Sequence, residues 1–371
     1  MKKEDCFYIT YIITSENASE AEDKAQKLAI EQTVEMPLAA VPERVKSSHL
    51  ARVFSLDSLD NNKYRCVIEC PRRSAGSEIS QFINIIFGNI SLTPGILLTD
   101  IDWNGLTDLL PGPAFGVEGI RNQLGIHERA LSCTALKPLG LTSAELADLC
   151  YEFAFNGLDV IKDDHGLANQ SSSPFEERVT ECCKAIDRAA QKTGKRAAYY
   201  PNITGDAEEV LKRYEFAVKS GASGVLLCSH IAGLPLMSKL ARTGEVPVMA
   251  HPSFTGSYVI HPDSGMDKGF YYGSLWRAIG ADSVIFTNAQ GRFQFTEEEV
   301  KSIKNRALDD RVPFKKAFPT PGGGIDRDTV RKWLDFYGND TLFLIGGSLY
   351  IHPDGIGQAS KEFQQKLENH G

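Results

Sequence analysis

The chain has 371 residues, 42% of them hydrophobic and 24% charged, with a formal net charge of -8. Such proportions belong to a soluble globular protein long enough for two domains, and the acidic balance, without basic runs, argues against nucleic acid or an anionic membrane surface as partner. No apolar run approaches the ~18 residues of a membrane span, and the opening Met-Lys-Lys-Glu-Asp-Cys lacks the apolar core of a secretory signal, so a cytoplasmic protein is expected.

Along the first part of the chain, residues 5–14 are strand-like, 18–31 predict a helix rich in Glu and Lys, 51–56 and 64–69 are strands, and 79–86 read as a helix. That order predicts a small α+β domain built on an antiparallel sheet, residues 1–125. The Pro-Gly-Pro-(x)-(x)-Gly turn at 111–116 marks the passage out of it.

From about residue 129 the texture changes to a regular alternation. Residues 131–137 predict a strand and 142–155 a helix opened by a Thr-Ser-Ala-Glu capping pattern. A strand ending at Lys162 leads to a helix over 174–192 with Pro at its first turn. Strand and helix pairs follow at 196–203 and 207–219, 224–229 and 234–242, 246–253 and 266–279, 283–288 and 297–308, and 315–320 and 327–337. A last strand at 341–345 precedes a C-terminal helix. Eight such units in about 240 residues predict a (β/α)8 TIM barrel over 126–371. A doubly wound open sheet is the alternative. The barrel is favoured because polar and Gly-rich positions recur where strands end, and no Gly-(x)-Gly-(x)-(x)-Gly fingerprint opens the first unit.

The eight Cys are scattered: Cys66-(x)3-Cys70 has no matching second pair, and the adjacent Cys182 and Cys183 on a helix cannot easily both serve one tetrahedral zinc site. Buried, reduced thiols are expected. The densest chemistry lies at Gly157-Leu158-Asp159-Val160-Ile161-Lys162-Asp163-Asp164-His165. Alternation along a strand points Lys162 and Asp164 the same way, with His165 following at the strand's end. An ammonium cannot bind a cation, but an amine that has captured CO2 becomes a carbamate whose anionic oxygens suit Mg2+.

This segment resembles the RuBisCO large-subunit family at its Gly-Leu-Asp-(x)-(x)-Lys-Asp-Asp-Glu motif, in which the Lys is carbamylated and the second Asp and the Glu complete the metal site. Here His165 stands in place of the Glu, which widens the choice of ion to Mn2+, Fe2+ or Zn2+. Phe87-Gly88-Asn89 is similar to the family's Gly-Asn segment, where Asn89 would reach substrate and metal. Gly112 to Gly116 is similar to its Gly-Pro-(x)-(x)-Gly turn, and Cys133 to Leu141 resembles the strand that carries Lys-Pro-Lys-(x)-Gly, placing Lys137 at the pocket. Asn202 sits like the Asn of the third barrel strand and His251 like the His ending the fifth. Glycine clusters at Gly322-Gly323-Gly324 and Gly346-Gly347 follow strands seven and eight, where backbone amides commonly hold a phosphate. Glu31 resembles the family's N-terminal-domain Glu, which reaches a neighbouring subunit's site. The resemblance therefore implies a ferredoxin-like N-terminal domain and a homodimer in which that domain completes the partner's site.

Several departures from the pattern bear on activity. Pro252 follows His251 where the carboxylase has Arg, so the second phosphate of a bisphosphate loses its main ligand. The loop after strand six, Thr287 to Arg292, contains no Lys, and the second Lys of the strand-one motif is missing. What the resemblance implies is the non-carboxylating branch of RuBisCO-like proteins. Such a protein would use metal-dependent enolisation of a singly phosphorylated sugar-derived ketone or keto acid, by tautomerisation, isomerisation or decarboxylation. In that scheme Lys162, Asp164 and His165 hold the metal. Lys137 or the Lys162 carbamate moves the proton, His251 and Asn202 orient the substrate, and amides at Gly323, Gly324, Gly346 and Gly347 bind the phosphate. Two competing readings are a catalytically silent, phosphate-binding homodimer and an aldolase-type barrel with a Schiff-base Lys. His230 and His352 read as loop residues.

Overall fold

The computed structural model describes residues 5–293 and 295–369; the outer ends of the two predicted domains, residues 1 and 371, lie outside that range. Two compact units emerge, each with its own sheet.

The first unit comprises the chain up to Pro111 together with Phe254–Tyr271 and Asp310–Pro313. Strands β1 (Cys6–Thr14), β2 (Arg52–Ser58), β3 (Lys63–Pro71) and β4 (Ile96–Ile101) form an antiparallel sheet in the order β4-β1-β3-β2. Alternation along β1 buries Phe7, Ile9, Tyr11 and Ile13 on one face. Helices α1 (Ala18–Glu31) and α2 (Ile79–Phe87) accompany the sheet: Phe82 meets Phe7 at 6.1 Å between ring centroids, and the Tyr11 hydroxyl donates to the Ile86 carbonyl at 2.6 Å. This is the ferredoxin-like α+β arrangement expected. β4 escaped the reading of the sequence, because six residues ending in Thr-Asp-Ile carry no clear period and become a strand by pairing with the free edge of β1. Residues 266–279, read as one helix, divide instead. Gly265–Met266 pairs in parallel with Leu97 and Leu98 of β4, Gly269–Leu275 forms a π-helical turn, and only Trp276–Ile279 is α-helical.

The second unit begins with α3 (Gly116–Leu124) and continues as β5 (Leu131–Leu136), α4 (Ser143–Phe155), β6 (Val160–Asp163), α5 (Phe175–Thr193), β7 (Ala198–Tyr200), α6 (Ala207–Lys219), β8 (Val225–Leu227), α7 (Leu234–Thr243) and β9 (Val248–Ala250). After the excursion into the first unit come α8 (Trp276–Ile279), β10 (Ser283–Thr287), α9 (Glu297–Ala307), β11 (Phe318–Gly322), α10 (Val330–Tyr337), β12 (Leu342–Ile345) and α11 (Gly355–Glu368). The parallel strands run in the order β7-β6-β5-β12-β11-β10-β9-β8, and a bridge between Asn202 and Leu226 closes the ring between β7 and β8. This is the (β/α)8 barrel. Inward-facing Leu131, Cys133, Val160, Tyr200, Leu226, Met249, Ile285 and Phe318 fill its interior. The predicted capping box opens α4: Thr142 and Glu145 bond reciprocally. All eight Cys are buried and none is in a disulfide among the described residues, as expected, and no described helix is long and apolar enough to cross a membrane.

Asp282, just before β10, ties the barrel floor to the turn preceding α3. Its Oδ1 accepts from the amides of Phe115 and Gly116 at 2.6 and 2.7 Å, and its Oδ2 from that of Val248 at 2.8 Å. Burial pushes its carboxyl up to about 6, against the pull of those three donors. Between pH ~4 and ~6 the folded chain therefore keeps a proton that the unfolded chain has released. The resulting stability is fully present below the unfolded value and is lost as the pH rises through 6. Urea denaturation of the wild type and Asp282→Asn should show the wild type losing about 2–3 kcal/mol relative to the variant between pH 4 and 7. A difference that stays flat over that range would contradict the assignment.

Candidate active site

The ends of strands β5, β6 and β9 deliver a polar layer above the apolar interior of the barrel. Lys162 points inward from β6 and is 2% exposed. Its Nζ donates to the Asp163 carbonyl at 3.1 Å, and among the described residues it has no carboxylate ion pair. Burial pushes the ammonium's pKa down, although the nearby Cys133 and Asp164 pull it up.

Asp164 lies two residues along on the same face. Its Oδ1 is 2.7 Å from Lys137 Nζ and 3.4 Å from His165 Nδ1, and its Oδ2 accepts from the Gly166 amide at 3.3 Å. Burial would raise this carboxyl, but hydrogen bonds from His165 and Lys137 and the charge of Lys162 outweigh it and hold it well below the usual carboxylate range. The His165 ring stacks on that of His251, with centroids 4.3 Å apart and planes within 12°. Burial, reinforced by the positive charge of Lys162, pushes the His251 imidazole well below its ordinary pKa. Lys137, Lys162, Asp164, His165 and His251, singled out in the sequence, thus form one cluster.

Asn202 has a different place. Its amide nitrogen donates to the carbonyls of His165 and Leu167 at 2.9 and 2.8 Å, while its oxygen accepts from the Thr204 hydroxyl at 2.6 Å and the Thr204 amide at 3.1 Å. Its polar groups hold the loop that carries His165. Asp163, which alternation turns outward, completes that brace. Both its side chain and that of Arg178 are fully buried, with Arg178 Nε 3.0 Å from Oδ2. Tyr199 and the Asn202 amide supply further donors at 2.8 and 2.9 Å. From α5, Arg178 also donates to the carbonyls of Ser173 and Ala168 at 2.7 and 2.8 Å.

The glycine clusters lie at the ends of neighbouring strands β11 and β12. Gly323 and Gly324 have φ of 90° and 67°, which side chains rarely adopt, and a Cβ at Gly324 would come within 3.3 Å of the Gln290 carbonyl. Gly346 and Gly347 are unlike them: a Cβ at either would meet nothing within 4 Å. The fold's own packing does not require glycine there, and the backbone is open to the approach of a ligand. In the first unit, Asn89 and Glu31 do come together. Asn89 Nδ2 donates to Glu31 Oε1 at 3.0 Å and to Glu35 Oε1 at 2.8 Å.

Three residues near the cluster escaped the sequence. The Tyr350 hydroxyl accepts from the Lys137 amide at 3.0 Å and donates to the Ala135 carbonyl at 2.7 Å, which fixes the backbone that presents Lys137. No sequence signal marks that contact, which spans 213 positions. Arg178 was likewise hidden inside a helix. Ser253 hydrogen-bonds His251 from two residues further along, in the turn that follows β9.

The donors fit a divalent cation. A lysine amine that burial biases toward its neutral form is suited to capture CO2. The resulting carbamate, the Asp164 carboxylate and the His165 imidazole would make an oxygen-rich set with one nitrogen. Lys137 now supplies the positive charge beside Asp164.

Residues 116–370 match the family described as "Ribulose bisphosphate carboxylase large chain, catalytic domain". The crystal structure of a RuBisCO-like protein from Rhodopseudomonas palustris superposes with a TM-score of 0.89 at 33% identity, covering 99% of each chain. A 5-methylthioribulose-1-phosphate isomerase of Rhodospirillum rubrum is 32% identical over 95% of this chain and 94% of its own. A 2,3-diketo-5-methylthiopentyl-1-phosphate enolase of Geobacillus kaustophilus is 29% identical over 97% and 91%.

Proposed function

Because this chain belongs to the family of the RuBisCO large chain, we propose that it is one of the family's enolising, non-carboxylating enzymes and acts on a singly phosphorylated sugar-derived ketone or keto acid. The observation that carries this reading is the cluster of Lys162, Asp164, Lys137 and His251 at one barrel mouth. Two relatives are named for isomerase and enolase activity on phosphorylated methylthio compounds, which supports chemistry through an enol.

A divalent ion, Mg2+ or Mn2+, held by carbamylated Lys162, Asp164 and His165 would polarise the substrate carbonyl as a Lewis acid. The remaining work falls to the chain's own groups. Lys137 Nζ, held over the pocket by Asp164 and by the Tyr350 anchor, carries the proton to or from the carbon next to the carbonyl. His251 directs a ring nitrogen at the oxygen that gains charge. Asn202 acts through the loop bearing His165. Amides at Gly323, Gly324, Gly346 and Gly347 receive one phosphate, and Pro252, in place of the Arg of the carboxylase, removes the main ligand of a second. Exposed Leu139, Ile231, Phe293 and Ile351, all in the connections that follow barrel strands, support a homodimer in which Glu31 and Asn89 of one protomer complete the partner's site.

Incubation with acyclic keto-sugar 1-phosphates in D2O containing Mg2+ and bicarbonate tests the reading. NMR is expected to show exchange of the α-proton, faster with bicarbonate present than after its removal. No exchange with any such substrate, together with no heat on calorimetric Mg2+ titration, would instead support a silent phosphate-binding protein.

A further inference from the structure

The corner that follows β9 contains a feature the reaction outlined above does not use. His251, Pro252 and Ser253 follow the strand, and the chain turns so that Ser253 faces back onto the His251 ring. The His251 amide is anchored to the Leu227 carbonyl at 2.9 Å. The Ser253 amide then donates back to His251 Nδ1 at 3.2 Å, and the Ser253 hydroxyl lies 3.0 Å from the same nitrogen. We infer that Ser253 is a positioning residue that locks His251 as a neutral imidazole with its proton on Nε2, so that His251 gives the substrate oxygen a hydrogen bond and does not act as the base.

The Ser253 peptide N–H can only donate. A nitrogen that receives it must offer a lone pair, so Nδ1 is unprotonated and the ring's single proton sits on Nε2. An imidazolium would set Nδ1–H against the Ser253 N–H, and the opposite tautomer would do the same. Turning the ring over would put Cδ2 where Nδ1 was and lose both bonds, while the His165 ring stacked at 4.3 Å restricts intermediate tilts. Pro252 stiffens the corner because its ring fixes φ near −65°.

A preset N–H donor lowers the cost of negative charge on the oxygen as the enol forms, and needs no reorganisation to do so. This inference rests on the enolising reading and deepens it, for it leaves proton abstraction to the lysines.

The tautomer can be read without turnover, so its test is separate from the enolisation assay. In 15N-histidine-labelled protein, with the His251 signals assigned by their absence from His251→Gln, Nδ1 is expected to have a pyridine-like shift and Nε2 a pyrrole-like shift. A pyrrole-like Nδ1 would overturn the inference even if the enzyme enolises. Ser253→Ala keeps the peptide N–H and is expected to keep the pyridine-like Nδ1, whereas Ser253→Pro, which removes that N–H, is expected to show a mixture of tautomers and about a 10-fold loss of kcat with KM within about twofold. His251→Gln, whose amide offers a donor near the Nε2 position, should retain at least ~10-fold more activity than His251→Ala. Equal loss in the two would also overturn it.

Discussion

Lys162→Met is expected to abolish turnover, by ~10^3-fold or more, while leaving the protein as stable as the wild type or about 1–2 kcal/mol more so. The two effects have one cause. The Nζ of Lys162 is buried and bonds a single backbone carbonyl, and burial disfavours its charge. Methionine fills nearly the same volume without that cost. It cannot, however, form a carbamate, present an oxygen to a cation or exchange a proton. Activity measured by α-proton exchange and stability by urea denaturation should therefore move independently. A Met variant that exchanges protons within tenfold of the wild-type rate would remove Lys162 from the chemistry. With 13C-bicarbonate, the wild type and not the variant should give a carbamate NMR signal. The same lesion tests the shared site. Lys162→Met and Glu31→Gln are each expected to be inactive, and their co-expression should restore about a quarter of wild-type activity, since half of a random dimer population would contain one intact site. No recovery in isolated mixed dimers would refute completion of the site by the partner.

Arg178→Met is expected to cost about 3–5 kcal/mol of stability, because it strands Asp163, a carboxylate fully removed from water. Tyr199 and the Asn202 amide would remain as donors, but neither carries a charge. The loss should also spread to the loop. Arg178 holds the carbonyls of Ala168 and Ser173, so amide hydrogen exchange over residues 164–173 should accelerate more than that of the neighbouring helices. Arg178→Lys would keep the charge but not the planar fork that reaches three acceptors, and most of the loss should persist. Pairing Arg178→Met with Asp163→Leu removes both charges and should recover part of the stability, giving a measurable coupling energy. A single-variant cost below ~1 kcal/mol would mean that the pair is not the brace described.

Local patterns carried the architecture. The strand and helix periods, the Thr142 capping box and the recurrence of glycine at strand ends depend on residues a few positions apart, so they were legible along the chain and yielded the barrel nearly unit by unit. The alternation in Lys162-Asp163-Asp164 likewise separated the two inward groups from the outward one. It could not say what the outward Asp163 would meet, because Arg178 and Tyr199 reach it only after helix α5 and strand β7 have packed. The same limit explains Asn202. Its position suggested a hand on the substrate, yet folding brings the carbonyls of His165 and Leu167 within hydrogen-bonding range, and a buried amide takes the partners it finds. At the start of 266–279, helical spacing lost to the open edge of β4, which pairs with Met266 from nearly 170 residues away in sequence, while 269–279 stayed helical. What sequence alone determined was therefore the fold, the family and the residue types at the barrel mouth. Tertiary structure decided which of those side chains are free to act and which are spent holding others, since burial, charge pairing and tautomer are set by neighbours distant along the chain.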